Sequence, residues 1–489
     1  MMRTFAGALV AASCALLTAC AVGPKYKRPT IDLSAAYKEQ DGWKPSEPND
    51  ALDRGKWWEI YNDPVLDGLE EQINISNQTV LAAAASVEEA RALVRQAQAG
   101  FWPQISASAS RTRTVQGSAG GSTIVTTTGG GSTVITGDGT NTNRSTTSTI
   151  SSLGISGNWE IDLWGRIRRQ TESDRASLQA SEAALASARL AAQAELATDY
   201  FELRAQDQLQ IILNDIVAAE QQSLKITENR YRVGVAAKAD VVTAQTQLLS
   251  SQAQQVNAPL QRALLEHAIA VLVGQQPANF SVTATALRTD VPTVPAGIPS
   301  TLLERRPDVA EAERQVAASN AQIGVAISAF FPTLDINGSD DYRGNTISHL
   351  IRSANRVWSI GPSLALTVFD AGLRRAQVAQ ARAAHEVTVD NYRQTVLTSL
   401  QQVEDEITTL RVLEQSAVIE EAAVKAAREA ETLTLNQYKA GTVPYSSVIT
   451  AQTTRLNTEE TALNVLSSRL QASVAMVKAL GGGWQAPPR

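Results

Sequence analysis

The stretch NRYRVGVAAKADVVTAQT at residues 229–246 recurs almost unchanged as NQYKAGTVPYSSVITAQT at residues 436–453. The two copies align without a gap at an offset of 207 residues. The same offset matches three further residues, pairing Asn257 with Asn464, Arg262 with Arg469 and Gly274 with Gly481. One register kept over about 45 residues indicates duplication rather than chance. The sequence therefore predicts two internal structural repeats.

The segments around the two copies also follow one order, which is helix, strand, loop, strand, long helix, tight turn and helix. The first helix is predicted from Val65 to about Ala99. The long helix begins after Gly165 and continues to the turn near Gly234, and a second helix follows to about Val273. At 1.5 Å per residue, a helix of about 65 residues is roughly 100 Å long. No compact globular core needs helices of that length.

The second predicted strand of each half alternates between apolar and polar residues. Apolar side chains between Leu153 and Leu163 share one face, and those between Trp358 and Val368 do the same in the second half. Period-two alternation with tryptophans near the strand ends is typical of a membrane barrel strand that faces lipid on one side. The alternative is a soluble β-sandwich strand with one face in a dry core. The intervening Gly, Ser and Thr segment at residues 117–148 is predicted to be a flexible or weakly hairpinned loop.

Composition excludes several classes of function. A formal net charge of -6 argues against nucleic acid as a partner, because binding phosphate backbones needs a basic surface. The three histidines, His267, His349 and His385, are far apart and have no metal-ligand spacing. No nucleophile and base stand at a recognisable spacing either. The sequence predicts no metal, no cofactor and no enzymatic activity.

The N-terminus predicts export and lipidation. Residues 1–19 contain Arg3 followed by an apolar run, which is the pattern of a signal peptide. The run ends in Leu17-Thr18-Ala19-Cys20, which is similar to a bacterial lipobox. We expect Cys20 to carry an S-diacylglycerol on its thiol and an N-palmitoyl chain on its amine, and several acyl chains anchor firmly. The alternative is an ordinary signal peptide that happens to contain a cysteine.

Four strands per chain cannot close a membrane barrel, and lipid does not tolerate an open sheet edge. A membrane interpretation of the strands therefore requires oligomerisation. Three copies supply twelve strands, an even number within the usual range. The long helices would then pack side by side as a second, helical cylinder.

Several motifs, taken in order, resemble those of the TolC-like outer-membrane efflux ducts, in particular the NodT-type lipoproteins that serve resistance-nodulation-division (RND) pumps. The resemblance covers nearly the whole mature chain. Its carriers are Cys20-Ala21-Val22-Gly23-Pro24, the helix start Arg305-Arg306-Pro307-Asp308-Val309, Phe331-Pro332, the two tyrosine-glycine turns, and Ala479-Leu480-Gly481-Gly482-Gly483-Trp484.

This resemblance implies a mainly α chain with a membrane β-barrel portion. The expected assembly is a homotrimer with a 12-stranded barrel continued by a long α-helical periplasmic barrel. The implied function is a passive outer-membrane exit channel of a tripartite efflux system for drugs or other small molecules. Its expected partners are outer-membrane lipid, a periplasmic adaptor protein and an inner-membrane RND pump. Two alternatives remain, which are an exit duct for type I protein secretion and an envelope coiled-coil scaffold without a pore.

The predicted domain organisation follows the repeats. Its parts are a lipoprotein signal peptide at 1–19, a lipidated tether at 20–64, a first repeat at 65–280, a linker or equatorial segment at 281–300 and a second repeat at 301–489.

Four groups of residues are candidate functional sites. Lipidation is assigned to Cys20, and the resemblance places adaptor contact at the helical tip around the two turns. The tip candidates are Asn229, Tyr231, Gly234, Asn436, Tyr438 and Gly441. The gate candidates are Asp240, Thr243 and Thr450, since threonines stand where related ducts often carry an aspartate, and the pore-lining candidates are Glu160 and Asp162. Arg230, Arg232, Lys238 and Lys439 make the tip basic, which is equally compatible with a solvated surface.

Overall fold

The computed structural model describes residues 21–31, 37–38, 56–116, 125–128, 131–134, 146–292, 294 and 306–482. The first half contains helices α1 (Pro64–Ser76) and α2 (Gln78–Ala99), strands β1 (Gln104–Gln116), β2 (Val125–Thr128), β3 (Gly131–Val134) and β4 (Thr146–Ile161), and helices α3 (Arg166–Arg232) and α4 (Lys238–Leu272). The second half contains α5 (Pro307–Ser328), β5 (Thr333–Gly344), β6 (Arg356–Ala365), α6 (Leu373–Ala440) and α7 (Tyr445–Ala479). Short 3₁₀ helices occupy Trp57–Tyr61, Pro277–Asn279 and Ser353–Asn355.

The two halves have corresponding element orders, and their lengths agree closely. The long helices α3 and α6 contain 67 and 68 residues, and the helices that follow them, α4 and α7, contain 35 each. The predicted long helices are therefore present. The duplication itself stays a prediction that this correspondence supports.

The chain divides into two compact units. Among the described residues, the sheet unit lies within 21–25, 94–172 and 321–382, and the helical unit lies within 26–93, 173–320 and 383–482. The boundaries fall inside helices α2, α3, α5 and α6.

The sheet unit contains one four-stranded antiparallel sheet in the order β1-β4-β5-β6. Strands β2 and β3 form a separate two-stranded hairpin. They lie in the segment 117–148, which was predicted to be a flexible or weakly hairpinned loop. The sheet strands contain 10 to 16 residues, which meets the length that a tilted strand needs to cross a bilayer. Within the described residues, β1 and β6 each pair on one side only.

Strand limits differ slightly from the sequence prediction. Strand β4 ends at Ile161 and β6 ends at Ala365, so Leu163, Leu366 and Val368 lie beyond the strands. The reason at the end of β4 is a tight turn, in which Gly165 has a φ of +84° and directly precedes α3.

The predicted continuous helix from Val65 to Ala99 was wrong, because Asn77 divides it into α1 and α2. The backbone at Asn77 is extended, which ends α1. Its side-chain oxygen accepts a hydrogen bond from the Val80 amide at 3.0 Å, which caps the start of α2. Its side-chain nitrogen donates to the Leu272 carbonyl at 2.7 Å. A contact 195 residues away thus decides a local break.

An aromatic cluster forms the core of the helical unit. Trp57 and Trp58 are 1% and 2% exposed and pack edge to face, with ring centroids 5.9 Å apart. Tyr61 lies 4.8 Å from Phe201 by ring centroid, and its hydroxyl bonds the Ser473 hydroxyl at 2.7 Å. The Tyr61 hydroxyl thereby joins this core to α7 in the second half of the chain.

Candidate functional site

The four sheet strands separate polar and apolar side chains onto opposite faces. The register aligns four serines in one row across all four strands, Ser106, Ser156, Ser339 and Ser359. Ser106 and Ser156 hydroxyls are 2.8 Å apart, and those of Ser339 and Ser359 are 3.1 Å apart. Rows of hydrogen-bonded polar side chains suit a water-filled side.

The opposite face is apolar and exposed. The neighbouring row aligns Ala107, Ile155, Asp340 and Trp358, and the next aligns Ile105 with Ile360 through two glycines. Ile105, Trp358 and Ile360 are 74%, 66% and 72% exposed in the single chain. An apolar surface of this extent needs a covering phase or partner.

The two pore-lining candidates have different positions. Glu160 lies on the polar face, where the register pairs it with Asp335. Its carboxylate accepts hydrogen bonds from Arg166 at 2.8 and 2.5 Å. Asp162 lies beyond the end of β4, and its side chain is only 8% exposed. Pore lining by these two residues stays a prediction.

Asp162 instead caps the long helix α3. Its carboxylate accepts from the backbone amides of Ile167 and Arg168 at 3.2 and 2.9 Å, and from the Arg168 side chain at 3.3 Å. A carboxylate at a helix N-terminus satisfies free amides and complements the helix dipole.

The second half repeats this cap with Asp370. Its carboxylate accepts from the backbone amides of Gly372 and Arg374 at 3.0 and 3.3 Å, and from the Arg374 side chain at 2.5 Å. Sequence reasoning had matched the two turns but missed these aspartates as caps. The signal that could have found them was an Asp followed within three residues by a glycine at the start of a helix.

The residues that follow the predicted lipidation site dock at the first strand-to-helix turn. The Val22 amide donates to the Trp164 carbonyl at 3.0 Å, and the Arg169 side chain donates to the carbonyls of Val22 and Gly23 at 3.1 and 3.3 Å. Gly23 has a φ of +105°, and a Cβ there would lie 2.5 Å from the Gly324 Cα. Only glycine fits this approach. Cys20 and the signal peptide lie outside the described residues, so the lipidation stays a prediction.

The two repeated turns have the same backbone geometry. Gly234 and Gly441 have φ values of +80° and +81°. Each turn has the two hydrogen bonds of a Schellman cap, in which Gly234 donates to Tyr231 and Val235 to Arg230, both at 2.9 Å. The repeated glycines are therefore explained by the conformation that ends each long helix.

The two tyrosines of the repeated segment differ in their environments. Tyr231 is 44% exposed, and the Lys238 ammonium lies 5.4 Å from its ring centroid. Tyr438 is 3% exposed, packs 5.2 Å from the Tyr445 ring and donates its hydroxyl to Thr227 at 3.2 Å. Of these two equivalent residues, one is therefore exposed at the helical tip and the other is buried in its packing.

Arg230 joins the two turns, a role that sequence reasoning missed. One guanidinium nitrogen donates to the carbonyls of Tyr438 and Lys439 at 2.8 and 2.9 Å. The guanidinium carbon also lies 4.8 Å from the Tyr438 ring centroid. A cation at these last carbonyls of α6 complements the negative end of the helix dipole. No local pattern marks it, since Arg232 and Lys439 are equally basic in sequence.

The remaining tip and gate candidates make local contacts. Asp240 accepts from the Ala237 amide at 3.4 Å at the start of α4. The Thr243 and Thr450 hydroxyls donate to carbonyls of their own helices, at 2.8 and 3.0 Å. Asn229 accepts from Arg232 at 3.0 Å, and Asn436 is exposed. Their roles in gating and adaptor contact stay predictions.

A buried polar row on α3 continues from the tip. Ser223 accepts from Gln452 at 3.1 Å, and Glu220 accepts from Gln247 at 3.0 Å. Burial raises the pKa of Glu220, although the hydrogen bond from Gln247 opposes that shift. These contacts fix which faces of α3, α4 and α7 meet.

Comparison with known proteins identifies the class. The sequence matches the outer membrane efflux protein family over residues 69–275 and again over residues 298–482. The chain therefore belongs to this family, whose members are outer-membrane efflux channels rather than enzymes.

Individual relatives agree with this assignment over nearly the full chain. The pyoverdine export outer membrane protein OpmQ of Pseudomonas aeruginosa is 30% identical over 481 residues, which cover 97% of this chain and 96% of OpmQ. Nodulation protein T of Rhizobium leguminosarum bv. trifolii is 27% identical over 473 residues, 96% of each chain. The outer-membrane channel OprN has a TM-score of 0.82 and 29% identity, with 95% of this chain and 100% of OprN covered.

These matches confirm the predicted family, the TolC-like channel fold and the outer-membrane location. None of the helices in the described part of the chain combines the length and apolar character of a membrane-spanning helix. Within the same residues, no group of His, Cys, Asp and Glu side chains is placed to hold a metal ion.

Proposed function

We propose that this protein is the passive outer-membrane exit duct of a tripartite efflux system. Three copies would close a 12-stranded barrel in the membrane and continue it as a helical tunnel in the periplasm. A periplasmic adaptor and an inner-membrane RND pump would deliver the cargo and supply the energy. The family membership and the channel fold support this proposal.

The observation that carries the proposal is a sheet with two unlike faces and two unpaired edges. One face is a ladder of hydrogen-bonded serines, and the other is exposed and apolar. Within the described residues, the outer edges of β1 and β6 have no strand partner. Unpaired edges are costly in lipid, and pairing β6 of one copy with β1 of the next removes them.

A small-molecule cargo is favoured over a secreted protein by the relatives. OpmQ is named for the export of pyoverdine, which favours a small molecule as the cargo of this chain. Selection among substrates would rest mainly with the pump, because a water-filled duct makes few specific contacts with its cargo.

Lipid attachment at Cys20 would complement the barrel. Ala21 follows this cysteine directly and lies against the first strand-to-helix turn, where a Cβ on Gly165 would lie 2.8 Å from the Ala21 Cα. Acyl chains attached one residue earlier would enter the leaflet nearest to the helices.

The test is efflux by cells that lack the gene and carry either the wild type or no copy. Dyes, antibiotics and small aromatic compounds should accumulate in the deletion strain, and the wild type should reverse this accumulation. The purified protein should run as a heat-sensitive trimer in detergent and conduct ions in planar bilayers.

Other results would exclude the proposal. If the deletion strain accumulates these compounds no more than the wild type does but retains a secreted protein, type I secretion would be favoured. A monomer or filament without conductance would favour a scaffold without a pore.

A further inference from the structure

Arginines end the apolar face of the sheet at the end remote from the long helices. The register places Arg111 opposite Ser151 and Arg113 opposite Thr149. Ser151 and Thr149 are two and four residues before Leu153, so both arginines share the face of Leu153. Both arginines are exposed, and no hydrogen bond or ion pair joins them to the part of the chain that is described.

The loop between β5 and β6 brings two more arginines to the same end. Gly344 pairs with Ser151, and a Cβ on Gly344 would lie 3.2 Å from the Asn355 side chain and 3.4 Å from Leu350. The loop therefore folds over the face that carries Arg111. It contains Arg352, which bonds the His349 ring at 2.9 Å, and it leads into Arg356 at the start of β6.

We call these four residues the arginine patch: Arg111, Arg113, Arg352 and Arg356. Arg356 pairs with Asp340 through two hydrogen bonds of 2.8 Å. Asp340 is the carboxylate that the patch contacts among the described residues, so the patch keeps a surplus of positive charge. That surplus opposes the formal net charge of -6 of the whole chain.

The surroundings of the patch are apolar. Ile347 and Ile351 of the β5–β6 loop are 61% and 69% exposed, although Leu350 between them is 7% exposed. Towards the long helices, the same face continues with Ile155 and Trp358. Guanidinium groups beside exposed isoleucines match the interface between hydrocarbon and lipid headgroups, where long cationic side chains reach the polar layer.

We propose that the arginine patch binds the phosphate groups of the lipid in the outer leaflet, namely the phosphorylated saccharide headgroup of lipid A. This inference rests on the proposed function, which makes the apolar face the lipid-facing one and the loop end the outer end. Arginine is suited to the task because its planar fork donates two parallel hydrogen bonds to a phosphate and remains charged at every relevant pH. The patch spans three strand spacings from β1 to β6, roughly 14 Å, which is wide enough for a headgroup with more than one phosphate.

The experiment measures lipid binding to the full-length protein in detergent, after non-covalently bound lipid has been removed. The probes are lipid A with both phosphates, dephosphorylated lipid A and inorganic phosphate. The test variant is Arg111→Thr/Arg113→Thr, which keeps a residue suited to a strand. The matched control is Arg343→Thr, because Arg343 pairs with Ser152 in the register and therefore lies at the same end of the sheet on the polar face.

The double variant should bind phosphorylated lipid A about 25-fold more weakly at low salt, from a charge contribution of about 5-fold for each arginine near a membrane surface. The Arg343→Thr variant should bind it as the wild type does. Dephosphorylated lipid A should bind weakly to all three proteins. Heat-sensitive oligomers on gels should show that each variant is folded.

Three outcomes would overturn the inference. Equal binding of the two lipid A forms by the wild type would assign the affinity to the apolar face alone. Undiminished binding by the double variant would place the phosphate contact elsewhere. Tight binding of inorganic phosphate that displaces lipid would indicate a site for a soluble anion. If the wild type conducts ions and any of these results is obtained, only the lipid-binding role of the arginine patch is refuted. If the wild type forms no trimer or does not conduct, the proposed function is refuted.

Discussion

Arg230 is expected to hold the two turns of the helical tip together, and its loss should favour an open tip. Replacement by alanine removes two hydrogen bonds to the carbonyls of Tyr438 and Lys439 and the contact with the Tyr438 ring. The half-buried hydrogen bond is worth about 1–1.5 kcal/mol and the exposed one about 0.5 kcal/mol. The cation–π contact adds about 0.5–1 kcal/mol.

The sum is about 2–3 kcal/mol per chain, which raises the ratio of open to closed tips roughly 30- to 150-fold. The freed carbonyls can bond water, so the measured effect should lie near the lower figure. Arg230→Ala should therefore increase single-channel conductance in planar bilayers and increase entry of large antibiotics into intact cells.

Arg232→Ala is the matched control for this prediction. Arg232 lies two residues away and, within the described part of the chain, donates a hydrogen bond to Asn229 of its own helix at 3.0 Å. The Arg232→Ala variant should therefore have the same conductance as the wild type. If Arg230→Ala and Arg232→Ala give the same conductance and the same antibiotic entry, the contact between the turns does not restrain the tip.

Three further predictions concern the anchor, the core and the polar face of the sheet. Cys20→Ala should abolish incorporation of labelled palmitate and remove the acyl mass from the mature N-terminal peptide. Glu70→Gln should stabilise the protein at alkaline pH and have little effect near pH 4, measured as the thermal unfolding midpoint. Burial and then Asp67 raise the pKa of Glu70 well above its usual range. Gly154→Ala should destabilise the oligomer by about 1–3 kcal/mol, because the added Cβ overlaps the Asp341 carboxylate.

The sign of the Glu70 effect follows from its burial. Its side chain is 0% exposed, and both carboxylate oxygens have no hydrogen-bond partner among the described residues. The protonated form is favoured in the folded state, so its contribution to stability is complete below the ordinary pKa of 4.5 and is lost as the pH rises through the raised value. Equal unfolding midpoints for wild type and Glu70→Gln from pH 4 to pH 9 would contradict this reasoning.

The other two predictions have their own controls. Gly361→Ala is the control for Gly154→Ala, because Gly361 lies in the same sheet and a Cβ there meets no atom within 4 Å. A Gly154→Ala oligomer that dissociates at the same temperature as Gly361→Ala would remove the steric argument. For Cys20, an unmodified N-terminal cysteine in the wild type would contradict lipidation.

Sequence patterns were sufficient for those features that depend on neighbours along the chain. Alternation over Leu153 to Leu163 predicted a strand with two different faces, and the register bears this out across four strands as far as Ile161. The repeated glycines predicted two chain reversals, and both have positive φ. Such features follow from spacing because backbone conformation and side-chain period are local properties.

The tertiary structure alone decided how distant segments meet. Asn77 breaks a helix because it bonds Leu272, and Arg230 joins two turns because α3 and α6 end side by side. Arg111 and Arg356 share one end of the apolar face only because β1, β4, β5 and β6 pair in a particular register. A shift of that register by one residue would transfer each side chain to the other face. The sequence by itself determined the long helices, the alternating strands and the repeated turns, whereas the partners of each polar side chain depended on packing between segments that lie up to 412 residues apart.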